Sequence, residues 1–199
     1  MKKEEKIKNF FKKYYIESWT YLKESRRFIY AVFFLFLFFG IVGFFLPAPD
    51  AVMEQIFKFI EELLTKTEGM SQFELVNFIL LNNLQSSFTS MIFGVLFGIF
   101  PLIAIIVNGY ILGFVSAMSV KTGGVFILWR LFPHGIFELP AIFISMGLGL
   151  KLGTFILQKN KIESLKRYLW KSMIVFLFVI LPLLILAAII EGILISIII

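Results

Sequence analysis

The 199-residue chain carries more apolar surface than a water-soluble domain of this size can bury. Hydrophobic residues make up 59% of it, 26 residues are phenylalanine, and only 16% are charged. This composition excludes an ordinary soluble fold and indicates a protein whose solvent is the lipid bilayer. The chain has no cysteine, which excludes disulfides, thiolate metal sites and cysteine nucleophiles.

The first 27 residues are charged, and they lack the short apolar core and small-residue cleavage site of a secretory signal. Apolar and aromatic side chains between Ile7 and Leu22 suggest a helix at the membrane interface. Residues 1–27 are therefore predicted to form a cytoplasmic amphipathic segment, and residues 28–199 a transmembrane helical domain.

The apolar stretches predict an all-α polytopic bundle of about five transmembrane helices. Residues 28–46 carry no charge and are about long enough to cross ~30 Å of hydrocarbon. Residues 80–120 provide the length for two more crossings, with Gly98 and Pro101 as the natural break between them.

The fourth and fifth crossings come from the last third of the chain. One apolar stretch covers about 133–150, and another begins at Met173 and continues towards the C-terminus. Six crossings are the alternative, if a segment near Gly123 is re-entrant.

The distribution of basic residues orients the predicted helices. Of the 19 lysines and arginines, nine precede Phe28 and six lie between Lys151 and Lys171. The positive-inside rule therefore predicts a multi-pass protein of the cell membrane, with the N-terminus and the basic loop 151–171 in the cytoplasm. Because topology accounts for the basic residues, no nucleic-acid partner is expected.

The loop 47–74 carries six carboxylates against two lysines and is predicted to be external. Within it, residues 52–64 have apolar side chains at helical spacing and polar side chains on the other face. This pattern predicts an amphipathic helix that lies on the outer membrane surface or caps the bundle.

Three ionisable residues, Arg130, His134 and Glu138, mark the fourth apolar stretch. They are spaced four apart, so that they share one face of a helix, and His134 is the only histidine of the chain. Ionisable groups at membrane depth are unfavourable unless they are paired or hydrated, so this face is a candidate functional site.

The predicted topology brings polar residues of three helices to one depth. The outer half of the fourth crossing, which carries this motif, lies level with Asn82 and Asn83, where the second crossing enters from outside. Glu191 reaches the same outer boundary late in the fifth crossing, whereas Asn108 lies near the middle of the third.

Three kinds of chemistry fit this polar layer. His134 and Glu138 could share a zinc-like ion, with Glu191 and asparagine side chains as further ligands. The same pair could relay protons, because histidine titrates near neutral pH and burial raises the pKa of a carboxyl group towards it. Alternatively, Arg130, His134 and Glu138 hydrogen-bond across helices and fix their register.

Enzymatic and cofactor signatures are missing from the sequence. It contains no nucleophile elbow, zinc-protease double histidine or phosphate-binding glycine loop. A second histidine is also absent, so His134 and Glu138 are only weak metal-ligand candidates. We therefore expect a non-enzymatic protein without a cofactor, with a membrane hydrolase as the less favoured interpretation.

Glycines and prolines predict where helices pack closely or bend. Gly135 allows close approach of a neighbouring helix, while Pro133 and Pro140 each remove a helical N–H and start or kink a helix. Six other glycines form small-xxx-small pairs, which suggest tight packing within a protomer or in a dimer. The pairs are Gly94 with Gly98, Gly109 with Gly113, and Gly149 with Gly153.

The run 132–141, FPHGIFELPA, resembles the signature of the stage II sporulation protein M family of integral membrane proteins. The resemblance covers most of the chain from about residue 28 onwards and implies the polytopic helical fold. Other parts of the pattern are Asn82-Asn83, Gly94 to Gly98, Asn108-Gly109 and Glu191-Gly192. The family-pattern residues, to which the resemblance assigns no chemistry, are His134, Glu138, Asn108 and Glu191.

In spore-forming bacteria, the resemblance implies a membrane scaffold of the engulfment machinery that works with a peptidoglycan hydrolase and its partner. The cysteine-free composition, rich in lysine, phenylalanine and isoleucine, is similar to that of an archaeal or thermophilic relative. The expected function is therefore scaffolding, membrane remodelling or complex assembly. A channel or transporter for ions or a small solute, using the outer polar layer, is the alternative. The expected partners are membrane lipids, a second copy of the chain in a dimer, and other membrane proteins.

Overall fold

The computed structural model describes residues 2–46, 48–130 and 132–198. Within these ranges it does not describe the side chains of residues 2, 3, 127, 129, 130, 132–134, 192 and 194–198. Every secondary-structure element in the described ranges is helical. The α-helices are α1 (Lys2–Phe45), α2 (Asp50–Thr67), α3 (Gln72–Ile92), α4 (Ile99–Gly123), α5 (Phe132–Gly153), α6 (Lys161–Val175) and α7 (Leu181–Ile198).

The prediction of an all-α membrane helical bundle is confirmed. Four helical segments of the described chain are long and apolar enough to cross a membrane: Glu4–Phe45, Ile99–Gly123, Gly135–Leu157 and Lys161–Glu191. Helix α3, which contains the start of the predicted second crossing, is not among them, because its second half is rich in asparagine, serine and threonine. It packs against α5 and α7 within the bundle.

The N-terminal segment and the first predicted crossing form one continuous helix, α1. No proline occurs within it and its first glycine is Gly40, so nothing in the sequence interrupts the helix near residue 28. Its first half packs around the ring of Phe178, which stacks on Tyr14 at a centroid distance of 5.3 Å and also contacts Phe10. Its second half packs along α4 and α5.

The break between α3 and α4 lies where glycine was predicted to interrupt the apolar region. A 3-10 turn at Phe93–Val95 follows α3, and Phe97 and Gly98 then have positive φ values of 58° and 73°. Pro101 lies in the first turn of α4, where the missing N–H has no intrahelical partner to lose. After α4, Val125–Arg130 is a short 3-10 segment.

The last membrane helix begins twelve residues earlier than its apolar stretch predicted, at Lys161 rather than Met173. Residues 161–171 are charged but amphipathic, so they continue the helix outside the apolar stretch, and the predicted basic loop is largely helical. A π-helical segment, Phe176–Ile180, joins α6 to α7. Pro182 explains it, because proline cannot donate to the carbonyl four residues earlier and its ring crowds that carbonyl.

The predicted glycine pair on α4 lies against α1. A Cβ atom on Gly109 would lie 2.7 Å from the carbonyl oxygen of Phe36, and one on Gly113 would overlap the carbonyl oxygen of Gly40. The α1 and α4 backbones therefore touch directly within one protomer, which is the close packing that small residues permit.

The other two predicted glycine pairs face each other. A Cβ atom on Gly94 would overlap the backbone of Gly149, and one on Gly153 would overlap the backbone nitrogen of Gly98. This contact fixes the turn between α3 and α4 against the end of α5. Among the described residues, a side chain on Gly135 would meet Leu139 of its own helix, so the close approach of a neighbouring helix there stays a prediction.

Candidate functional site

Three helices bring polar side chains together at one end of the bundle, which we call the cleft end. Asn82 and Asn83 come from α3, Glu138 from α5 and Glu191 from α7, and all four line one cleft of about 570 Å³. The remaining lining residues are apolar except for one threonine. They are Ile60, Leu63, Leu64 and Thr67 of α2, and Leu75, Phe78 and Ile79 of α3.

Glu138 is the central polar group of the cleft. Its side chain is partly buried, and the Asn83 side chain lies close enough to stabilise its carboxylate. The Glu191 carboxylate lies close enough to repel the charge of Glu138. Two carboxyl groups and an amide therefore face the same space, next to an apolar wall.

The other residues of the sequence-predicted site lie elsewhere or are not described. Asn108 is exposed on α4 and does not line the cleft. The side chains of Arg130, Pro133 and His134 lie outside the described residues, so the predicted metal and proton-relay roles of His134 stay predictions. Pro140 is an exposed residue within α5. Among the described side chains, no group of three or more His, Cys, Asp or Glu residues could hold a metal ion.

Helix α2 covers the cleft but is loosely joined to the bundle. It contributes a buried Ile56, and Phe57 packs edge-to-face on Phe114 of α4 at 5.9 Å between ring centroids. In the described chain, α2 has no extensive contact with any other helix. It follows that α2 can move relative to the bundle more easily than the other helices.

The connection from α2 to α3 ends in a well-formed capping box. Ser71 accepts a hydrogen bond from the backbone N–H of Glu74, and the Glu74 carboxylate accepts one from the backbone N–H of Ser71. The Ser71 hydroxyl also donates a hydrogen bond to the Glu74 carboxylate, at 2.7 Å. This bond, together with the one from the Ser71 backbone N–H, lowers the pKa of Glu74 below the ordinary glutamate value, because both stabilise the charged form. The box fixes the start of α3, which carries Asn82 and Asn83 into the cleft.

A second polar cluster, at the opposite end of the bundle, was not predicted from the sequence. The side chain of Lys151 is only 8% exposed, and its Nζ donates a hydrogen bond to Ser25 Oγ at 3.0 Å. The same ammonium lies 3.9 Å from the centre of the Tyr21 ring and 3.6 Å from a carboxylate oxygen of Glu24. Lys171 also pairs with Glu24, at 3.4 Å. We call this end the lysine end.

A mostly apolar layer lies between the cleft and the lysine end. Along α5, the buried residues Ala141, Ser145 and Leu148 lie between Glu138 and Lys151. The α6–α7 helix repeats this order in the opposite direction between Lys171 and Glu191. Its residues in the same core cluster are Val175, Phe176, Ile180 and Leu184, all at most 5% exposed.

These features define an integral membrane protein of the helical-bundle class. A family model described as Stage II sporulation protein M matches residues 32–194. Because that match covers most of the chain, the protein belongs to the stage II sporulation protein M family, which confirms the resemblance of its sequence. The family is not a known enzyme family. No curated protein and no solved structure matches the chain significantly.

Proposed function

We propose that the protein is a non-enzymatic scaffold that assembles membrane proteins, as a multi-pass protein of the cell membrane. The main support is the close packing of the bundle, in which α1 meets α4, and α5 meets the turn before α4, through backbone contacts at glycines. A channel or transporter requires polar groups along a continuous path. Between Glu138 and Lys151 the polar residue of α5 is the buried Ser145, whose hydroxyl is already used in a hydrogen bond to the carbonyl oxygen of Ser87, and the residues of the neighbouring core cluster are apolar. A rigid bundle with backbone contacts at its glycines is suited to holding partners in fixed positions.

The orientation is part of the proposal. We place the N-terminus and the lysine end in the cytoplasm, because nine basic residues precede Phe28 and six lie between Lys151 and Lys171. The absence of cysteine makes a direct test simple. A membrane-impermeant maleimide applied to intact cells should label a single cysteine at Glu62 and not one at Lys8. The reverse labelling would contradict the orientation.

A scaffold needs a surface on which partners bind. Helix α1 offers Phe38, which is 59% exposed, beside Phe36, which is 6% exposed and packs in the core. A photoreactive phenylalanine at position 38, in the cells that naturally encode the protein, should crosslink to another copy of the chain or to one defined membrane protein. The same residue at position 36 is the matched control and should crosslink only within the protein. Adducts with lipid alone at position 38 would count against a partner on this face.

The channel or transporter alternative has the polar cleft in its favour and is tested separately. Purified protein in liposomes should give no flux of protons, sodium, potassium or chloride above that of empty liposomes. Flux that is present in the wild type and lost in Glu138→Gln would reject the scaffold proposal and support conduction through the cleft.

A further inference from the structure

The connection between α5 and α6 forms a basic cavity beyond the lysine end. Helix α5 ends at Gly153, Thr154–Leu157 is a 3-10 turn, and α6 begins at Lys161. A cavity of about 610 Å³ opens beside the first turn of α6. Its lining residues are Lys159, Asn160, Lys161, Ile162, Glu163 and Lys166. Three lysines against one glutamate give the lining a net positive charge, and we call it the basic cavity.

The three lysines of the basic cavity are exposed and form no ion pair within the described part of the chain. Every aspartate and glutamate side chain of the protein belongs to that part, and none of them pairs with Lys159, Lys161 or Lys166. The carboxylate in the lining, Glu163, accepts a hydrogen bond from the Asn160 amide at 3.3 Å. The lysine charges are therefore available to an anion from outside the chain.

The first turn of α6 adds to this attraction. The helix is 15 residues long, and the Asn160 side chain does not cap it. The backbone N–H groups of a first turn have no intrahelical acceptor, and the positive end of the helix dipole lies there. A negative group held by the lysines would therefore also face these donors.

Exposed apolar side chains beside the lysines indicate that the anion carries hydrocarbon. Ile162, which lines the basic cavity, is 72% exposed, and Leu157, at the end of the 3-10 turn, is 78% exposed. The connection joins two helices that are long and apolar enough to cross a membrane, so it lies at one surface of the bilayer. A small soluble anion would leave both apolar side chains uncovered, whereas hydrocarbon attached to the anion would cover them.

We propose that the basic cavity binds an anionic phospholipid. The phosphate lies among Lys159, Lys161 and Lys166, and the first part of an acyl chain lies against Ile162 and Leu157. An acidic peptide segment would satisfy the lysines but not the two apolar side chains. Each lysine near an anionic lipid surface raises the affinity about fivefold. The inference goes beyond the scaffold proposal and depends neither on it nor on the orientation, because it requires only that the connection lies at the bilayer surface.

The test measures thermal unfolding of the purified full-length protein in a maltoside detergent with four probes. Dioleoyl phosphatidylglycerol supplies the chains and a net negative head, and dioleoyl phosphatidylcholine supplies the same chains with a neutral head. Glycerol phosphate supplies the anion without chains, and a hexaglutamate peptide represents an acidic protein segment. At about 100 times its Kd, phosphatidylglycerol should raise the melting temperature by roughly 5 °C, whereas the other three should raise it by less than about 1 °C.

Each probe can overturn one part of the proposal. An equal shift with phosphatidylcholine would reject recognition of the charge, and an equal shift with glycerol phosphate would reject the need for hydrocarbon. An equal shift with hexaglutamate would assign the cavity to an acidic protein partner. No shift with phosphatidylglycerol would reject the lipid site.

Variants locate the binding. The combined replacement Lys159→Gln, Lys161→Gln and Lys166→Gln should weaken phosphatidylglycerol binding at least about tenfold. All three side chains are exposed and unpaired in the described chain, so this variant should melt near the wild-type temperature without lipid. Unchanged phosphatidylglycerol binding in this variant would place the lipid elsewhere and reject the proposal.

The matched control removes the same amount of charge from α1. Lys23, Arg26 and Arg27 are exposed and lie outside the basic cavity, and their combined replacement by glutamine should change the affinity by less than about twofold. Equal weakening by the two triple variants would show a diffuse charge effect and overturn the site. Ile162→Ser leaves the charge unchanged and should weaken binding several-fold. Undiminished binding in Ile162→Ser would reject the contact with the acyl chain.

Discussion

Replacement of Gly113 by alanine should separate α1 from α4 and destabilise the protein. A Cβ atom at this position would overlap the carbonyl oxygen of Gly40, and it would lie 2.8 Å from the carbonyl carbon of that residue and 2.9 Å from the backbone nitrogen of Phe44. All three obstacles are backbone atoms, so no side-chain rotation can relieve the contact. The helices must move apart.

The distance by which α1 and α4 must move apart determines how much the free energy of unfolding decreases. Ordinary van der Waals contact of a Cβ atom begins at 3.4 Å, so the carbon contact alone demands a shift of about 0.6 Å. Such a shift also loosens the neighbouring contact of Gly109 with Phe36, because both belong to the same helix pair. Insertion of one methyl group into a well-packed core lowers the free energy of unfolding by about 1–3 kcal/mol.

Gly40→Ala is the matched control for this clash. Gly40 lies on the same helix interface, but a Cβ atom there would meet the carbonyl oxygen of Gly109 at an ordinary 3.6 Å. Both changes replace a helix-interior glycine by alanine, so the gain in helix propensity, about 1 kcal/mol, is common to them. The difference between the two variants therefore measures the clash.

The assay is thermal unfolding in detergent, followed by the fluorescence of the three tryptophans. Gly113→Ala should melt below Gly40→Ala, by about 2–4 °C for each kcal/mol of the difference. Gly40→Ala should melt at or slightly above the wild-type temperature. If the two variants melt together, α1 and α4 do not touch at Gly113, and the packing argument fails.

Further predictions concern the two polar clusters and the start of α3. Lys151→Ala should lower the free energy of unfolding by about 2 kcal/mol, because the contact with the Tyr21 ring and the hydrogen bond to Ser25 are lost. The control is Lys58→Ala, which removes an exposed ion pair and should change the free energy of unfolding by less than about 0.5 kcal/mol. Equal losses in thermal unfolding would contradict a buried role for the first lysine. Asn83→Ala should lower the free energy of unfolding by about 1–3 kcal/mol, because the partly buried carboxyl group of Glu138 loses its amide neighbour. Asn82→Ala, at an exposed position of the same helix, should lower it by less in the same thermal unfolding assay. The reverse order would reject an interaction between Asn83 and Glu138. The pKa of Glu74 is lower in the folded state, so its stabilisation of α3 is present above the ordinary value of 4.5 and lost as the pH falls through the folded value. The protection of the amide hydrogens at the start of α3, measured relative to an unstructured peptide at the same pH, should decrease in that acidic range, and protection that does not change with pH there would refute the capping role.

The apolar stretches of the sequence predict the bundle because length and hydropathy are local properties. They do not predict where amphipathic residues extend a membrane helix. The charged residues before Phe28 continue α1, and those after Lys161 start α6, because neither segment contains a helix-breaking residue. Charge marks the end of an apolar stretch, whereas proline, glycine and capping residues mark the end of a helix.

The cleft could be anticipated because it depends on depth rather than on helix rotation. Antiparallel crossings of known length place residues at a common level, so Asn83, Glu138 and Glu191 were predicted to lie in one layer. The depth of a residue in the membrane does not predict which side of its helix faces the cleft. Asn108 illustrates the difference, since it lies within a membrane helix, is exposed, and does not line the cleft.

The lysine end could not be predicted from the sequence, because the positive-inside rule already explains its basic residues as determinants of the orientation. Lys151 was counted only as one of the basic residues that orient the protein, and Glu24 as part of a charged N-terminal segment. Their contact depends on which faces of α1 and α5 meet, and Gly147 fixes this, since its missing side chain lets Ile29 of α1 approach the α5 backbone. Composition and periodicity do not predict which residue of a neighbouring helix packs against a given glycine.

The extent of the family match distinguishes the two polar clusters. The match begins at Val32 and ends at Leu194, so every polar residue of the cleft lies inside it. Lys151 also lies inside, but its partners on α1, Tyr21 and Ser25, precede the matched region. A function common to the family must be carried by residues that the family model contains, and the cleft meets this condition with all its polar groups. The lysine cluster does not meet it, because Tyr21 and Ser25 lie outside the matched region. We therefore expect its main effect to be on the packing of the first half of α1 in this protein, and its test is the unfolding measurement with Lys151→Ala.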